Sequence, residues 1–406
     1  MADPFPTYHD KISELAEKML ATGGVAMLVL DLSPFGSVEE MYGSQVYEEV
    51  RQQALQLVLQ QRGKLIGNDE LLALDEPGGM HVILFLDQAY QRTLSLLEDV
   101  KARRDQWAEA LLPMVSRLAL PYLKTAPRLA LGQSVALHNP LLRPAWIIAR
   151  AMRDGLRHGE LQRSIEERRV CERVQEILLR EGIMTVYQPI VEIRGRKVFG
   201  YEALSRGAPG TGLESADALF RAAQENGLLA EVDRLCRRRA LLTAKGLPLA
   251  AKVFVNVLPT AIRDPEFKGM HLIDFLETAQ LPPSRIVVEI TEKLVIENYN
   301  LFLDAMSYYT SLGMSFAVDD VGAGYSGLEA IAGLRPGYLK IDMALIRDLG
   351  SSLAKREMVN AIMTMGIGIG ARVIAEGIQT TDELRSVEAI GLELGQGFLL
   401  GRPEPI

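Results

Sequence analysis

The sequence predicts an α/β protein of two domains, the second of which is an eight-stranded parallel barrel. Its 406 residues are 48% hydrophobic and 24% charged, which allows more than one sizeable core. From residue 184 onwards, short apolar runs alternate with segments whose apolar residues recur at helical spacing. Such runs are typical of parallel strands covered by helices, and about eight of them in about 220 residues predict a TIM-like (β/α)8 barrel.

Eight runs are predicted to form the barrel strands. In chain order they are MTVYQPIVEI, KVFGYEALSR, AKVFVNVLP, RIVVEITE, MSFAVDDVG, YLKIDMAL, RVIAEGIQ and LELGQGFLL. Two of the stretches between them, residues 216–246 and 298–313, are helical in pattern and end on glycine, a common helix stop. In such a barrel the strands run parallel, so their carboxyl ends should meet on one rim.

Residues 1–160 are predicted to form a smaller α/β domain around one sheet. The apolar strands GGVAMLVLDL, GGMHVILFLD and RLALGQSVAL alternate with helical stretches at residues 39–63 and 92–119. Residues 161–180 are charged and predict a helical linker. The barrel domain is then expected to occupy residues 181–406.

Charge and cysteine content narrow the class of protein. The net charge of -8 argues against a general basic surface for DNA or RNA, and the run Arg237–Arg239 is interpreted as a solvated helix face. Cys171 and Cys236 are isolated and have no zinc-ligand spacing, which favours a reducing compartment. The amino terminus lacks a signal-peptide pattern, and no stretch is long and apolar enough to span a membrane. We therefore expect a cytoplasmic protein.

Polar residues interrupt the apolar strands, one for each strand. They are Gln188, Glu202, Asn256, Glu289, Asp319, Lys340, Glu376 and Gln396. Because the carboxyl ends of parallel strands meet on one rim, these side chains are expected to converge. The alternative is that each of them caps a helix or pairs locally.

The chemistry of these residues predicts a metal site. Asp319 and Asp320 are adjacent, and Gly322 and Gly324 permit the turn that would let both face inward. Carboxylates this close repel one another unless cations lie between them, and oxygen ligands without Cys or His suit Mg²⁺ or Mn²⁺. The carboxylates outnumber the needs of one ion, so we expect two ions, an arrangement suited to in-line displacement at phosphorus. The expected oxygen ligands are Asn256, Glu202, Glu289, Asp319, Asp320 and Glu376.

Two cationic side chains extend this prediction. Lys340 is the only cation among the strand-end residues and could hold a nucleophilic water or a phosphate oxygen. Its alternative role is only to neutralise the carboxylates. Arg206 lies four residues past Glu202, where its bidentate guanidinium is placed to reach a phosphate.

The second domain resembles the EAL domain family of cyclic di-GMP phosphodiesterases. The matching strings, in the family's order from about residue 175 to the end, are YQPIV, GYEALSR, FVNV, VEITE, VDDVGAGYSGL, LKID, IAEGI and GQGFLLGRP. This resemblance implies a TIM-like barrel with an irregular strand and hydrolysis of cyclic di-GMP to linear pGpG. It also implies two bound Mg²⁺ or Mn²⁺ ions and a homodimer formed through the EAL domain.

The resemblance also implies a role for each matching residue. Lys340 matches the lysine beside the nucleophilic water, and Glu376 matches a proposed general base. Glu292 matches a glutamate that orders the loop after the aspartate pair, a loop that helps form the dimer. The implied substrate contacts are Gln188, Arg206 and Gln396, and the implied metal positions are Glu202, Asn256, Glu289, Asp319, Asp320 and Glu376.

Two positions depart from the family pattern. Gln379 stands where the family usually has a carboxylate, and Val321 replaces a usual phenylalanine. An amide keeps part of the hydrogen bonding of a carboxylate but none of its charge. We expect reduced or altered activity rather than none. A catalytically weak or inactive cyclic di-GMP receptor, signalling through a partner or its dimer, is the alternative function.

The first domain resembles a degenerate GGDEF domain, the fold of diguanylate cyclases. VLDLSPFGSVEEMYG matches the first strand and its metal-binding turn, where Asp31 is retained and Gly36 replaces an expected lysine. GGMHV stands where GGDEF would be, with Met80 and His81 in place of the acidic pair. A cyclase needs those carboxylates to hold metal and activate a hydroxyl, so we expect cyclase activity to be absent. A retained fold with lost acids suggests that the domain regulates the barrel, with GTP as a candidate ligand. An unrelated α/β domain stays the alternative.

Overall fold

The computed structural model describes residues 3–86, 95–123, 126–297, 299–322 and 327–406. The chain divides into two compact units, Met1–Arg169 and Val170–Ile406. This division falls within a helix that contains nearly all of the predicted linker, residues 161–180. Among the described residues, no helix is both long enough and apolar enough to cross a membrane.

The first unit is built on a four-stranded antiparallel sheet. Its strands are β1 (Gly24–Asp31), β2 (Leu71–Leu74), β3 (His81–Phe85) and β4 (Ala130–Leu137), in the order β2-β3-β1-β4. Its helices are α1 (Ile12–Thr22), α2 (Gly36–Tyr42), α3 (Ser44–Leu59), α4 (Ser95–Ala110), α5 (Leu112–Ser116) and α6 (Pro144–Leu179). The three predicted strands are present, whereas β2 was not predicted because four residues give no periodic signal. The predicted helix at residues 92–119 begins outside the described residues.

Helices cover both faces of this sheet. Leu28 and Leu30 of β1 pack into a core with Val50 of α3, whereas Met27 on the opposite face packs with Leu15 of α1. All eight residues of β1 are therefore buried. This two-sided burial explains the unbroken apolar run from which the strand was predicted.

The second unit is a closed eight-stranded barrel, as predicted. Its strands are β5 (Ile183–Glu192), β6 (Val198–Gly207), β7 (Lys252–Asn256), β8 (Ile286–Thr291), β9 (Ser315–Val321), β10 (Tyr338–Ile341), β11 (Arg372–Ala375) and β12 (Leu394–Gly395). The barrel order is β10-β11-β12-β5-β6-β7-β8-β9.

The expectation that every barrel strand is parallel is wrong for β5. This strand pairs antiparallel with both β6 and β12, whereas the remaining neighbours pair in parallel. Residues 193–197 alone connect β5 to β6. A parallel crossover needs about a dozen residues or more, so this connection can only form a hairpin.

Helices surround the barrel. They are α7 (Ala216–Glu225), α8 (Leu229–Thr243), α9 (Gly269–Thr278), α10 (Glu292–Glu297), α11 (Tyr299–Ser311), α12 (Leu328–Leu334), α13 (Met343–Ile346), α14 (Leu353–Ile369) and α15 (Thr381–Ile390). The helical stretch predicted at residues 216–246 is two helices, α7 and α8. It breaks near Gly227, which has a left-handed φ of 68° that favours glycine.

Candidate metal centre

The predicted site residues form a polar layer above an apolar plug inside the barrel. The plug consists of Ile190, Phe254, Val287, Ala317, Tyr338, Ile374 and Leu394. From β7 to β12, each polar residue lies two positions after the plug residue of its strand, which places both on the same face. On the antiparallel strand β5, Gln188 lies two positions before Ile190, so the reversed direction brings it to the same level.

The ammonium group of Lys340 lies at the centre of this layer. Its Nζ is 2.7 Å from Glu376 Oε1, 2.9 Å from Glu289 Oε1, 3.3 Å from Asp319 Oδ1 and 3.4 Å from Glu202 Oε2. Lys340 is fully buried, and Glu202, Glu289 and Asp319 are also buried. One cation therefore faces four carboxylates. If all four are ionised, their negative charge exceeds the positive charge of Lys340, and a further cation could balance the excess.

Burial and mutual repulsion disfavour full ionisation of these carboxylates. Burial raises the pKa of Glu289 and Glu376 well above the usual range, and it also raises the pKa of Asp319. Burial opposes the charge of Lys340, but the surrounding carboxylates raise its pKa well above the usual range. A divalent cation would compensate the surplus negative charge and hold the carboxylates ionised.

Two overlapping groups of carboxylates have oxygen atoms close enough to hold an ion. Glu202, Glu289 and Asp319 form one group, and Asp319, Asp320 and Glu376 form the other. Within each group the ligand atoms lie within 4.8 Å of one another. Asp319 belongs to both groups, so its carboxylate could be shared between two ions. An all-oxygen donor set of this kind fits Mg²⁺ or Mn²⁺.

Three amide side chains surround Glu202. Gln396 donates from Nε2 to Glu202 Oε2 at 2.5 Å and to Gln188 Oε1 at 3.0 Å, and Gln188 donates from Nε2 to the Gly401 carbonyl at 3.1 Å. Asn256 donates from Nδ2 to Glu202 Oε1 at 3.1 Å. Both oxygens of Glu202 are therefore fixed. A rotated Asn256 amide would present its oxygen to an ion instead.

The backbone turns sharply at the second aspartate. Asp320 has a left-handed φ of 57°, and its N–H donates to Asp319 Oδ1 at 2.9 Å. Gly322, with a φ of 92°, continues the predicted turn, whereas Gly324 lies outside the described residues. A left-handed aspartate costs about 1 kcal/mol, so this turn stores strain beside the candidate ligands. Burial first, and then the charges of Asp319 and Asp342, raise the pKa of Asp320 to about 6.

This raised pKa predicts a pH-dependent effect of Asp320→Asn in chelator. Between pH 3.8 and about 6 the folded protein holds a proton on Asp320 that the unfolded chain has lost. The free energy of unfolding therefore falls as pH rises through this window. We expect Asp320→Asn, which tolerates the left-handed backbone, to be more stable than the wild type at pH 7 by about 1 kcal/mol, allowing for solvent screening.

Urea denaturation at pH 7 and at pH 4 measures this difference, which should shrink at the lower pH. Asp304→Asn, an exposed position on α11, is the matched control and should show neither effect. An Asp320→Asn protein that is less stable than the wild type at pH 7 would contradict the prediction.

Glu292 connects the two ends of the segment that follows the aspartate pair. Its buried carboxylate accepts from the Gly322 N–H at 3.0 Å and from the Gly327 N–H at 3.1 Å. Residues 323–326, which belong to the predicted dimer loop, lie outside the described residues. Glu292 thus lies beside the metal centre rather than within it.

Arg206, Gln379 and Val321 lie at the margins of the centre. Arg206 shares a face of β6 with Glu202, is partly exposed and donates from Nη1 to the Ser205 carbonyl at 2.8 Å. Gln379 is exposed, and its backbone N–H donates to Glu383 Oε2 at 2.8 Å, just before α15. Val321 is fully buried in the core around the barrel.

Two features of the site were missed from the sequence. Asp342, the last residue of the string LKID, accepts from the Ala344 N–H at 2.8 Å and raises the pKa of Asp320. Asp342 could have been predicted from its place in the string LKID, two residues after Lys340. The Gly401 carbonyl, which holds Gln188, is a backbone group and carries no side-chain signal.

A cavity of about 210 Å³ lies beside the metal centre. Asn256 and Glu289 line it from the barrel, and Phe220 of α7 and Asp233 of α8 line it from the helical layer. The Asp233 carboxylate is ion-paired with Arg237, and most of the other lining residues are apolar.

Comparisons with known proteins agree on the second unit. The EAL domain family profile matches residues 171–403, which is more than half of the chain. Cyclic di-GMP phosphodiesterase NbdA of Pseudomonas aeruginosa is 30% identical over 61% of this chain and 32% of the relative. MucR of the same organism, a bifunctional diguanylate cyclase/cyclic di-GMP phosphodiesterase, is 28% identical over 59% of this chain and 36% of the relative.

Solved structures agree as well. The PaMucR phosphodiesterase in complex with c-di-GMP has a TM-score of 0.52 at 26% identity, covering 58% of this chain and 97% of that chain. The matches extend over 26% to 46% of the length of the curated relatives. The barrel, the ordered strings and the family match together establish that this chain belongs to the EAL domain family.

Proposed function

We propose that the chain is a metal-dependent phosphodiesterase that hydrolyses cyclic di-GMP to linear pGpG. The observation that carries the proposal is the group of four carboxylates around Lys340, three of them buried, together with the overlapping group of Asp319, Asp320 and Glu376. The names of the relative NbdA and of the solved PaMucR complex support cyclic di-GMP as the substrate. A polar layer that served only stability would not need so many buried carboxylates.

The proposed cofactor is a pair of Mg²⁺ or Mn²⁺ ions. Their ligands are Glu202, Asn256, Glu289, Asp319, Asp320 and Glu376. When bound, such ions activate water and stabilise the charge that develops on the phosphate. The layer's surplus of carboxylates over cations supports this assignment.

The protein's own groups carry the remaining chemistry. Lys340 would hold the attacking water or a phosphate oxygen, a role that requires its ammonium to leave some of its present carboxylate contacts. Glu376 would accept the proton of that water, because a pKa raised by burial brings a carboxylate closer to neutral pH, where a general base works best. Gln188, Gln396 and Arg206 would contact the substrate. Gln379 is exposed, whereas the carboxylates around Lys340 are buried or partly buried, and this difference supports retained activity.

Arg206→Ala is expected to raise KM for cyclic di-GMP by about tenfold to a hundredfold and to change kcat much less. The guanidinium is proposed to bind a phosphate in the ground state and in the transition state alike, so its loss weakens uniform binding. Steady-state kinetics measure the split, and Arg206→Lys should recover only part of the affinity because an ammonium lacks the bidentate fork. Arg221→Ala, at an exposed residue of α7, is the control. Unchanged KM in Arg206→Ala would remove Arg206 from the substrate site.

Glu292 is proposed to order the loop that links the metal centre to a homodimer formed through the EAL domain. Its two hydrogen bonds to backbone N–H groups on either side of residues 323–326 support this role. Charge-assisted bonds to backbone donors are among the stronger protein hydrogen bonds, so the contact can fix the loop firmly.

The first unit is proposed to be a regulatory, cyclase-inactive GGDEF-like domain in residues 1–160, followed by a helical linker and the EAL domain from residue 181. Support comes from His81, whose Nδ1 is 2.5 Å from Asp75 Oδ2 and whose Nε2 is 3.6 Å from Asp31 Oδ1. Burial opposes protonation of His81, but its hydrogen bond to Asp75 raises its pKa. A basic side chain thus faces Asp31 where a cyclase needs acidic ligands. Hydrolysis measured with and without GTP tests the proposed regulation.

A cyclic di-GMP receptor without turnover is the second candidate function. The observation that favours it is Lys340, which already neutralises part of the carboxylate layer. Calorimetry with cyclic di-GMP, combined with chromatography of the products in Mg²⁺ or Mn²⁺, separates the two functions. Product formation supports the phosphodiesterase, whereas tight binding with no pGpG supports the receptor.

A further inference from the structure

A second groove lies on the outside of the barrel between α8 and α9. It has a volume of about 310 Å³. Arg234, Arg237 and Arg238 of α8 line it, together with Glu266, Phe267, His271 and Phe275 from α9 and the turn before it. Two of these arginines, Arg237 and Arg238, belong to the run Arg237–Arg239 that the sequence predicts to be a solvated helix face. That prediction is wrong for Arg237, which is only 4% exposed.

The floor of the groove is a rigid ion network. Buried Asp264 accepts from Arg234 Nε at 2.8 Å and from Arg237 Nη2 at 3.0 Å. Arg237 also donates from Nε to Asp233 Oδ2 at 2.9 Å, and its guanidinium lies 4.6 Å from the centre of the Phe267 ring. These contacts fix the arginines before any ligand arrives, which lowers the entropy cost of binding.

The rim of the groove carries positive charge that is less tightly paired. Arg234 is 43% exposed and its second carboxylate contact, to Glu266, is 3.8 Å long. Arg238 is 51% exposed, and its ion pair with Glu181 measures 3.9 Å. Contacts this long leave guanidinium N–H groups able to bind an incoming anion. The ligand should therefore be anionic at this end.

The aromatic part of the lining indicates what the rest of the ligand is. Phe267 is only 5% exposed and has the Arg237 guanidinium over its ring. Phe275 of α9 packs against the barrel core while still lining the groove, so it is the ring that is open to a ligand. Aromatic side chains stack on nucleobases, and guanidinium groups bind phosphate in a bidentate manner. The volume lies near the lower limit of small-molecule sites, roughly 300 Å³, so a mononucleotide fits better than a dinucleotide.

We propose that this groove binds a nucleoside monophosphate, with its phosphate at Arg234 and Arg238 and its base on Phe275. Arg237 lines both this groove and the cavity next to Asn256 and Glu289, so substituting Arg237 would alter both sites at once. Arg238 is the better position because it is half exposed and its substitution should leave the fold intact.

Titration calorimetry of the full chain with GMP tests the proposal. Chelator is present throughout, so that the metal centre cannot recruit the phosphate. We expect saturable binding at one site, with inorganic phosphate and guanosine each binding at least about tenfold more weakly than GMP. Arg238→Ala and Phe275→Ala should each weaken GMP binding by about tenfold or more, and Arg221→Ala and Glu202→Gln should not.

Three results would overturn the proposal. They are no binding of GMP at millimolar concentration, binding that Arg238→Ala leaves unchanged, or binding that depends on Glu202 instead. Thermal unfolding of Arg238→Ala and Phe275→Ala tests whether each variant is folded. If Phe275→Ala does not fold, GMP binding by Arg238→Ala alone decides the outcome. None of these measurements uses hydrolysis, so this proposal and the phosphodiesterase proposal can fail separately.

Discussion

Glu202→Gln is expected to reduce metal-dependent hydrolysis of cyclic di-GMP by about a thousandfold while the barrel stays folded. Glu202 contributes an oxygen to one candidate ion site, and both of its oxygens are held by amide donors, Asn256 on the adjacent strand β7 and Gln396 just after β12. The amide of glutamine keeps the shape but removes the charge that attracts the ion. Loss of an aligned electrostatic contact to the developing charge typically costs a hundredfold to about a thousandfold, and loss of the ion adds to it.

Chromatographic detection of pGpG, with Mn²⁺ or Mg²⁺ in excess, measures this effect. Glu393→Gln is the matched control, since the Glu393 side chain is 77% exposed and lies outside the carboxylate layer. Circular dichroism of both variants tests whether the fold is kept. A Glu202→Gln protein that retains more than a tenth of the wild-type rate would exclude Glu202 as a metal ligand.

Lys340→Met is expected to lower the free energy of unfolding in chelator by about 3–5 kcal/mol and to abolish hydrolysis. The substitution preserves much of the side-chain volume but removes the cation that contacts four carboxylates in a fully buried position. Leaving buried charges without their partner costs this much in other proteins. The carboxylates would take up protons or admit water to compensate.

Divalent metal separates the structural role of Lys340 from its catalytic role. Ions bound by the carboxylates would restore much of the stability of Lys340→Met but not its activity, because the proposed water or phosphate contact is gone. Urea denaturation with chelator and with Mn²⁺ measures the recovery. Lys293→Met, whose ammonium makes an exposed 3.8 Å pair with Glu297 on α10, is the control. Equal destabilisation with and without metal would indicate that the carboxylates do not bind ions.

The polar layer was predictable because it obeys a simple positional rule. Each strand is a largely apolar run that carries one of the layer's polar residues within it or just after its end, and a residue two positions along a strand returns to the same face. Phe254 and Val287 fill the barrel interior. Asn256 and Glu289, two residues later on the same two strands, must therefore also project into the interior, in the next layer towards the carboxyl ends of the strands. The sequence alone therefore located the residues that converge, from Gln188 to Gln396.

The direction of β5 and the position of Lys340 required the structure. Apolar runs carry no sign of strand direction, and only the short connection between β5 and β6 forces an antiparallel pair. The sequence also could not decide whether Lys340 reaches the carboxylates or points along the rim, because four rotatable bonds place its ammonium. The structure places that ammonium among them.

The local turn at Asp320 and the buried state of Arg237 were missed for related reasons. Adjacent aspartates suggested a turn at the glycines, whereas the first left-handed residue is Asp320 itself. A run of three arginines resembles an exposed helix face, but Arg237 is buried and pairs with Asp233, one helical turn earlier, and with the distant Asp264. The four-residue spacing to Asp233 is a helical signal that the prediction did not use, whereas the pairing with Asp264 has no periodic signature.

The most direct test of the proposed hydrolysis is the formation of pGpG by the wild-type chain. Purified protein is incubated with cyclic di-GMP in Mn²⁺, in Mg²⁺ and in chelator, and the products are separated by chromatography over several hours. Metal-dependent hydrolysis predicts pGpG with at least one of the ions, none in chelator, and recovery when metal is added back. Retention of intact cyclic di-GMP with both ions, by protein that binds it in calorimetry, would contradict the phosphodiesterase and identify a receptor.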